Sequence, residues 1–276
     1  EINAAAPCVR GTEWPEDLVP SAVVEVNYPL AVAPTTIASD LDRAIGESVA
    51  RCILDGATIQ VGIGAVASAV VASLAARRHL RIHSGLFTEP LWALQKSGAV
   101  QAQTSQDAVV TCSAVYGSAG LYAEVHDNPA YRIAPPAVTH GLAALAALPR
   151  FTSINSALEI DLFGQVNAES AGGRYLGGIG GLNDFVRGAL ASPGGSAIIA
   201  APSRRRSAKG EVGSIVSALS GPATVPAADA DVFVTEHGVA RMRGASRSER
   251  ALAIIGLAHP DDRESLTRAA RALGLI

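Results

Sequence analysis

The chain has 276 residues, 49% of them hydrophobic, with 22 lysines and arginines against 25 aspartates and glutamates. This composition excludes a disordered chain and suits one large α/β domain or two small ones. A net charge of −3 gives no overall basic field. The charge therefore argues against nucleic acid as the main partner and leaves small anionic ligands open.

Cysteine usage and hydropathy favour a cytoplasmic protein. The cysteines Cys8, Cys52 and Cys112 are widely spaced and form no CxxC pair, which disfavours a disulfide framework and a zinc site. The longest apolar run, residues 61–76, is shorter than the ~20 residues that a membrane-spanning helix needs. No signal-peptide pattern opens the chain. The sequence thus predicts neither secretion nor membrane association.

Residues 1–40 differ from the rest of the chain. Prolines interrupt short strand-like pieces there, and the first residue is Glu1 rather than Met. We interpret this part as the end of a preceding domain followed by a linker, and residues 41–276 as a second domain.

From residue 41 onward, helix and strand patterns alternate. A helix over 41–54, with Asp40 as its cap, precedes a strand at 57–61, a glycine turn, an Ala/Val-rich helix to residue 76 and a strand at 81–84. This βαβ order predicts an α/β fold with a mostly parallel sheet flanked by helices. Further helices are predicted at 90–96, 121–125, 141–147, 183–190, 248–257 and 262–273, and further strands at 108–113, 152–156, 158–162, 197–200 and 232–234.

Two glycine-rich turns are candidate binding segments, because ligands of open α/β sheets bind beyond the carboxyl ends of the strands. The turn Gly62–Gly64 leads from a strand into a helix, so its amides suit an oxyanion or a phosphate, with a plain tight turn as the alternative. It lacks the remaining residues of a dinucleotide or P-loop motif. The turn at 177–185 either adopts positive φ repeatedly or packs against a ligand.

Several motifs occur in a characteristic order: GATIQVGIG at 56–64, INSALEIDL and GQVN within 154–167, GGIGGLNDFVR at 177–187, VTEHGVA at 234–240 and AHPD at 258–261. Together they resemble the acetyl-CoA hydrolase/transferase family, which includes butyrate, succinate and 4-hydroxybutyrate CoA-transferases. The resemblance covers residues 41–276 as a C-terminal CoA-transferase-type domain. Residues 1 to about 35 resemble the last part of the family's N-terminal domain, most of which is absent from this sequence.

The resemblance implies a coenzyme A thioester substrate bound between two related α/β halves, with no metal. In the family, a glutamate attacks the thioester and forms an acyl-glutamyl anhydride, which preserves the activation of the acyl group. The resemblance places the oxyanion-binding amides at Ile63 and Gly64 in the first turn. In the second turn it places the binding backbone around Gly178, Gly180 and Gly181.

The sequence departs from the family at the nucleophile. The glutamate belongs after the strand that follows the first glycine turn, where this chain reads His83–Ser84–Gly85. Because glycine has no side chain, the glutamyl route cannot run through Gly85. Glu89 is a candidate replacement, with a surface residue in the first turn of a helix as the alternative.

Other side chains have two interpretations each. Glu159 is a candidate base or a residue that supports the site, and His83 either orients the substrate or is simply hydrogen-bonded in the core. Glu236 and His237 fit a polar network under the site. The arginines at 204–206 suit CoA phosphates or a solvated loop.

Two functions of different classes follow. The first is an enzyme that passes the acyl group of an acyl-CoA, or of a related thioester, to water or another acceptor without a glutamyl-CoA intermediate. The second is a catalytically silent subunit that binds CoA or a partner chain carrying the missing N-terminal half. A standard transferase whose nucleophile is supplied elsewhere is a third possibility. A homo- or hetero-oligomer is expected in each case.

Overall fold

The computed structural model describes residues 1–11, 13, 16–34, 37–101, 108–207 and 210–276. The predicted segment 1–40 therefore contains positions 12, 14–15 and 35–36, which lie outside the described residues. The helices are α1 Asp40–Arg51, α2 Ala65–Ser73, α3 Glu89–Lys96, α4 Ala119–Val125, α5 Pro136–Thr139, α6 Leu142–Ala146, α7 Leu182–Ala191, α8 Arg247–Leu257 and α9 Pro260–Ala272.

The strands of the main sheet alternate with these helices along most of the chain. All strands are numbered together in chain order, so the strands of the smaller sheets take the numbers missing here. The strands of the main sheet are β3 Thr58–Val61, β4 Arg81–Thr88, β5 Val110–Tyr116, β6 Tyr131–Ile133, β7 Phe151–Asn155, β12 Ser196–Ala200, β16 Val232–Thr235 and β17 Gly238–Arg241. The smaller sheets contain β1 Ile2–Asn3, β2 Glu25–Val26, β8 Glu159–Asp161, β9 Val166–Asn167, β10 Ser170–Ala171, β11 Arg174–Tyr175, β13 Arg204–Ser207, β14 Gly210–Gly213 and β15 Ile215–Val216.

The main sheet confirms the predicted α/β fold. Its strand order is β17-β16-β12-β7-β3-β4-β5-β6. Every neighbouring pair is parallel except β16 and β17, which are antiparallel. The chain runs outward from β3 to β6 and then returns to place β7 on the other side of β3. The carboxyl ends of β3 and β7 therefore lie at the topological switch point, where open α/β sheets bind ligands.

Both faces of the sheet are buried, because successive residues of a strand belong to hydrophobic clusters on opposite faces. Ile198 and Ala200 of β12 belong to the hydrophobic cluster formed with α1 to α4, whereas Ile199 belongs to the cluster formed with α6 to α9. In β16, Val232 and Val234 likewise lie opposite Phe233. Successive strand residues point to opposite faces, so each strand contributes to two cores.

The start of α1 corrects one detail of the sequence prediction. Ser39, not Asp40, is the N-cap, because its extended backbone precedes the helix and its side chain accepts a hydrogen bond from the Asp42 N–H. The Asp42 carboxylate in turn accepts from the Ser39 N–H at 2.8 Å, which completes a capping box. Asp40 is the first helical residue, where its charge suits the helix dipole.

Long-range pairing determines the elements that local patterns mispredict or omit. Strand β8 forms where the sequence places a strand, but it pairs with β9 and β15 in a separate three-stranded sheet. The solvated loop predicted for residues 204–206 is wrong, because these arginines form β13, which pairs with β14. The short β6 and α5 were not predicted.

The N-terminal segment lies against the domain. Val9 is buried, the Cys8 N–H donates to His126 Nδ1 at 3.0 Å, and the Ala33 N–H donates to the Gly117 carbonyl at 3.0 Å. The division at residue 40 stays a prediction. Across the described residues, no helix has the length and hydropathy needed to cross a bilayer. Cys8, Cys52 and Cys112 are free thiols.

Candidate functional site

A cavity of about 600 Å³ opens at the carboxyl ends of β3, β4 and β5. This volume is in the range of small-molecule sites. Its wall combines the first glycine turn, the starts of α2 and α3, and the N-terminal segment; the lining includes Ala33, Pro34, Gly62, Ile63, Gly64, Ala67, Val71, Leu86, Glu89, Ala93, Tyr116 and Ser118. The structure therefore brings the predicted residues Ile63, Gly64 and Glu89 to one cavity.

The first glycine turn requires its glycines. Gly64 is the N-cap of α2 with a φ of 114°, a conformation that residues with a side chain rarely adopt. A Cβ atom on Gly62 would stand 3.0 Å from Oδ1 of Asn155, whose amide exchanges two hydrogen bonds with that of Gln60. Within the described part of the chain, the N–H groups of Ile63 and Gly64 have no protein acceptor. The turn thus offers free amides to the cavity.

Glu89 opens helix α3 at the rim of the cavity. Its Oε2 accepts a hydrogen bond from the Ser118 N–H at 3.1 Å, which joins the start of α3 to the loop after β5. The helix N-terminus favours its negative charge. The side chain is exposed and borders the cavity, so the surface interpretation and the site interpretation both apply to it.

Gly85 lies within β4, which continues to Thr88 and is longer than predicted. His83 and Gly85 share one face of the strand, and Leu86 points to the other. A Cβ atom on Gly85 would stand 3.2 Å from Nε2 and 3.4 Å from Cε1 of His140, and 3.6 Å from Cε2 of Phe185. An imidazole ring therefore occupies the space in front of the position to which the resemblance assigns the nucleophile.

His140 is the site residue that the sequence analysis missed. It follows the short helix α5, and its ring stacks on Phe185 with centroids 4.5 Å apart. Its Nδ1 lies 2.8 Å from Oγ1 of Thr139, and that hydroxyl also contacts the hydroxyl of Ser113. None of the family-like motifs contains His140, and a lone histidine gives no local signal.

His83 lies beneath this group and is only 8% exposed. Burial lowers the pKa of its imidazole, against the opposing effect of its hydrogen bond with the Thr139 carbonyl, so the ring is neutral near pH 7. Its Nε2 lies 3.1 Å from that carbonyl oxygen, and a neutral ring that donates there fixes the tautomer. The hydrogen-bonded interpretation of His83 describes this geometry.

The second glycine turn contains glycines with different constraints. A Cβ atom on Gly181 would stand 2.3 Å from Cδ2 and 2.6 Å from Nε2 of His140, so the ring requires glycine there. Gly180 has a φ of 55°, whereas Gly178 has an ordinary φ and open space around its would-be Cβ. The structure thus brings Gly181 to Gly85 through His140. The ligand contact predicted for Gly178 and Gly180 stays a prediction.

Glu159 lies elsewhere, in β8. Its carboxylate accepts hydrogen bonds from Asn167 Nδ2 at 3.0 Å, the Ser220 N–H at 2.9 Å and Ser220 Oγ at 2.6 Å, and Arg205 lies 3.5 Å away. Burial raises its pKa, but these hydrogen bonds and the Arg205 charge outweigh burial and hold the pKa below its ordinary value. None of these contacts involves the cavity or His140. The catalytic role of Glu159 stays a prediction.

Two of the three arginines of β13 bind neighbouring carboxylates or carbonyls. The guanidinium of Arg204 binds Asp262 through two hydrogen bonds of 3.0 and 2.8 Å, and Arg205 donates to the Leu158 carbonyl at 3.0 Å. Glu236 accepts from the N–H and hydroxyl of Ser203, and its carboxylate lies 3.5 Å from His237. The contacts of these arginines and those of Glu236 thus form two polar networks. Across the described residues, no cluster of three His, Cys, Asp or Glu side chains suits a metal.

Comparison with known proteins agrees with the motifs. Residues 117–270 match the profile of the acetyl-CoA hydrolase/transferase C-terminal domain. The 4-hydroxybutyrate coenzyme A transferase of Clostridium kluyveri is 36% identical over 270 residues, which are 96% of this chain and 62% of that protein. The resemblance drawn from the sequence is confirmed. The chain spans less than two thirds of the length of this relative.

Solved structures give the same result. RipA from Yersinia pestis has a TM-score of 0.89 and 36% identity, covering 99% of this chain and 62% of that chain. The 4-hydroxybutyrate CoA-transferase from Porphyromonas gingivalis has a TM-score of 0.82 and 33% identity, covering 98% of this chain and 65% of that chain. The fold described above is therefore also the fold of these two proteins.

Proposed function

We propose a function for this chain from the premise that it belongs to the acetyl-CoA hydrolase/transferase family. It uses an acyl-CoA, or a related thioester, and passes the acyl group directly to water or another acceptor without a glutamyl-CoA intermediate. The observation that carries the proposal is the pairing of Gly85 with His140. No side chain is present at position 85, and an imidazole fills the adjacent space.

The first glycine turn supports the electrophilic part of this reaction. Attack on a thioester places negative charge on the carbonyl oxygen, and free backbone amides stabilise that charge best where water is excluded. The N–H groups of Ile63 and Gly64 stand at the cavity wall without protein acceptors among the described residues. We assign them to the thioester oxygen, as the family resemblance implies.

The cavity supports a thioester with an apolar acyl group. Its lining is dominated by small and aliphatic side chains such as Ala67, Val71 and Leu86, and Glu89 is the charged residue among the described lining residues. An apolar acyl chain gains from burial there. A free carboxylate on the acyl group, as in succinyl-CoA, would face Glu89 without a basic partner in the lining.

A thiol-release assay with intact-mass analysis tests the proposal. Purified protein is incubated with acetyl-, butyryl- and succinyl-CoA, with and without acetate, while free CoA and the protein mass are followed. We expect release of CoA with no covalent adduct on the protein. A stable CoA or acyl adduct, or no release from any of these thioesters, contradicts the proposal.

The second candidate is a silent subunit that binds CoA or a partner chain. It is favoured by the same glycine at position 85, which offers no nucleophilic side chain. Binding of CoA measured by calorimetry without any thiol release distinguishes it from the enzyme. The cytoplasmic location and the homo- or hetero-oligomer expected from the sequence stay predictions.

A further inference from the structure

We propose that His140 is the catalytic base of this site and that its Nε2 takes the proton from the attacking water. This inference rests on the proposed function and names the group that replaces a carboxylate nucleophile. Its basis is the position of the ring, the hydrogen bond that orients it, and the register that brings it to the first glycine turn.

The ring is placed by two glycines. The Cβ positions of Gly85 and Gly181 lie 3.2 and 2.6 Å from Nε2 of His140, so a side chain at either residue would compete with the ring. Phe185 covers one face of the ring at a centroid distance of 4.5 Å. Within the described residues, Nε2 has no protein hydrogen-bond partner, and His140 is only partly buried. The nitrogen is therefore free to meet a small molecule.

The other ring nitrogen is held. Nδ1 of His140 lies 2.8 Å from Oγ1 of Thr139, which is fully buried and also reaches the hydroxyl of Ser113. In the tautomer that the reaction uses, Nδ1–H donates to Thr139 and the Thr139 hydroxyl donates onward to Ser113. Histidines that activate a nucleophile are commonly oriented in this way, by a hydrogen bond to the second ring nitrogen.

The strand register connects this ring to the oxyanion-binding turn. Strand β3 pairs with β4 at Thr58–Arg81 and Ile59–Ile82, and Ser84 Oγ contacts the Val61 carbonyl at 3.5 Å. Continuing that register by three residues from Ile59–Ile82 places Gly85 beside Gly62, which opens the turn and lines the cavity. The cavity lies on the Leu86 face of β4 and the His140 ring lies on the Gly85 face. We therefore place the thioester carbonyl at the edge of the sheet between them, at the amides of Ile63 and Gly64.

The reaction balances with water as the only co-substrate. The water oxygen bonds to the thioester carbon while one of its protons moves to Nε2, which leaves an imidazolium and a tetrahedral oxyanion. The C–S bond then breaks, its electron pair leaves with sulfur, and Nε2–H returns the proton to that sulfur. The products are the carboxylic acid and the free thiol of CoA, and the imidazole is regenerated.

The test compares His140→Asn with His79→Asn in the thiol-release assay, using butyryl-CoA as the probe. His79 is an exposed histidine with a φ of 58°, a conformation that asparagine tolerates, so its replacement is a matched control. We expect His140→Asn to lower kcat by about 100-fold or more, with KM within about threefold and with partial rescue by added imidazole. The control should retain its activity.

A second pair of variants separates catalysis from folding. Thr139→Val removes the hydroxyl that holds Nδ1, and Thr139→Ser keeps it; we expect kcat to fall about tenfold in the first and to stay near the native value in the second. If native protein releases CoA and His140→Asn, folded by circular dichroism, does so equally fast, His140 is not the base and the proposed function stands. If native protein releases no CoA, both proposals fall.

Discussion

Nε2 of His140 lies 3.2 Å from the point where a Cβ atom would stand on Gly85, and 2.6 Å from the corresponding point on Gly181. Ordinary van der Waals contact of a Cβ atom needs more space than either distance gives. The missing side chain at position 85 and the imidazole in front of it are thus complementary. A glutamate side chain at position 85 would need the space that the His140 ring occupies.

The first prediction concerns a glutamate introduced at position 85. We expect Gly85→Glu alone to form no covalent adduct with butyryl-CoA, because the imidazole of His140 blocks the new side chain. The double variant Gly85→Glu/His140→Ala removes the ring and should gain a glutamyl-CoA adduct, detected by intact mass and by its loss on treatment with hydroxylamine. His140→Ala alone is the control. An adduct on the single variant would show that the ring moves aside freely.

The second prediction separates the glycines of the second turn. Gly181→Ala would place its Cβ atom 2.3 Å from the His140 ring and 2.8 Å from Phe185, so we expect it to lower the free energy of unfolding by about 1–3 kcal/mol. Gly178→Ala meets no atom within 4 Å and should change it by less than about 0.5 kcal/mol. Urea denaturation measures both. Equal effects would contradict the packing described for His140.

The third prediction concerns Glu159. We expect Glu159→Gln to lower the free energy of unfolding at pH 7 by about 2 kcal/mol, because a buried carboxylate loses its charged hydrogen bonds with Ser220 and Asn167. The pKa of Glu159 is lowered in the folded protein, so its ionised form stabilises the fold above the unfolded pKa of about 4.3. That contribution is lost as the pH falls through the folded pKa.

The difference in the free energy of unfolding between native protein and Glu159→Gln should therefore be largest near neutral pH and decrease at acid pH. Denaturation curves at several pH values measure it, and Asp127→Asn, an exposed carboxylate, is a control. A difference that stays constant down to acid pH would contradict the linkage. If instead the variant folds with native stability and loses kcat, the predicted role of Glu159 as a base is supported.

Local sequence patterns account for most of the scaffold. The alternation of β3, the glycine turn and α2 follows from residues adjacent in the chain, and the capping box at Ser39 and Asp42 is a local signal as well. The ligand-binding edge follows from the βαβ pattern, which puts the first glycine turn at the carboxyl end of a strand. These features need no knowledge of distant contacts.

The parts that sequence could not predict depend on contacts between distant residues. His140 reaches Gly85 only because the short α5 turns its end toward β4, and the ring then relies on glycine at position 181. Glu159 sits in a strand whose partners, β9 and β15, lie outside the main sheet. Arg204 looks solvent-directed in sequence, and its partner Asp262 follows 58 residues later. Periodicity carries no information about such pairs.

The fourth prediction concerns the charge of the acyl group. Glu89 places a carboxylate at the cavity rim, where the lining contains no described basic side chain. Two unit charges of the same sign about 4 Å apart repel by about 1 kcal/mol in water. We therefore expect native protein to prefer butyryl-CoA over succinyl-CoA. Glu89→Gln should raise the ratio of kcat/KM for succinyl-CoA to that for butyryl-CoA about fivefold.

Glu47→Gln is the matched control for this experiment, because it removes the same charge from an exposed position of α1 that does not line the cavity. Repeating both assays at higher salt adds a second criterion. Screening weakens repulsion between solvent-accessible charges, so the advantage of Glu89→Gln should decrease as ionic strength rises. If Glu89→Gln and Glu47→Gln change the ratio equally, the acyl group does not approach Glu89, and the cavity holds another part of the thioester.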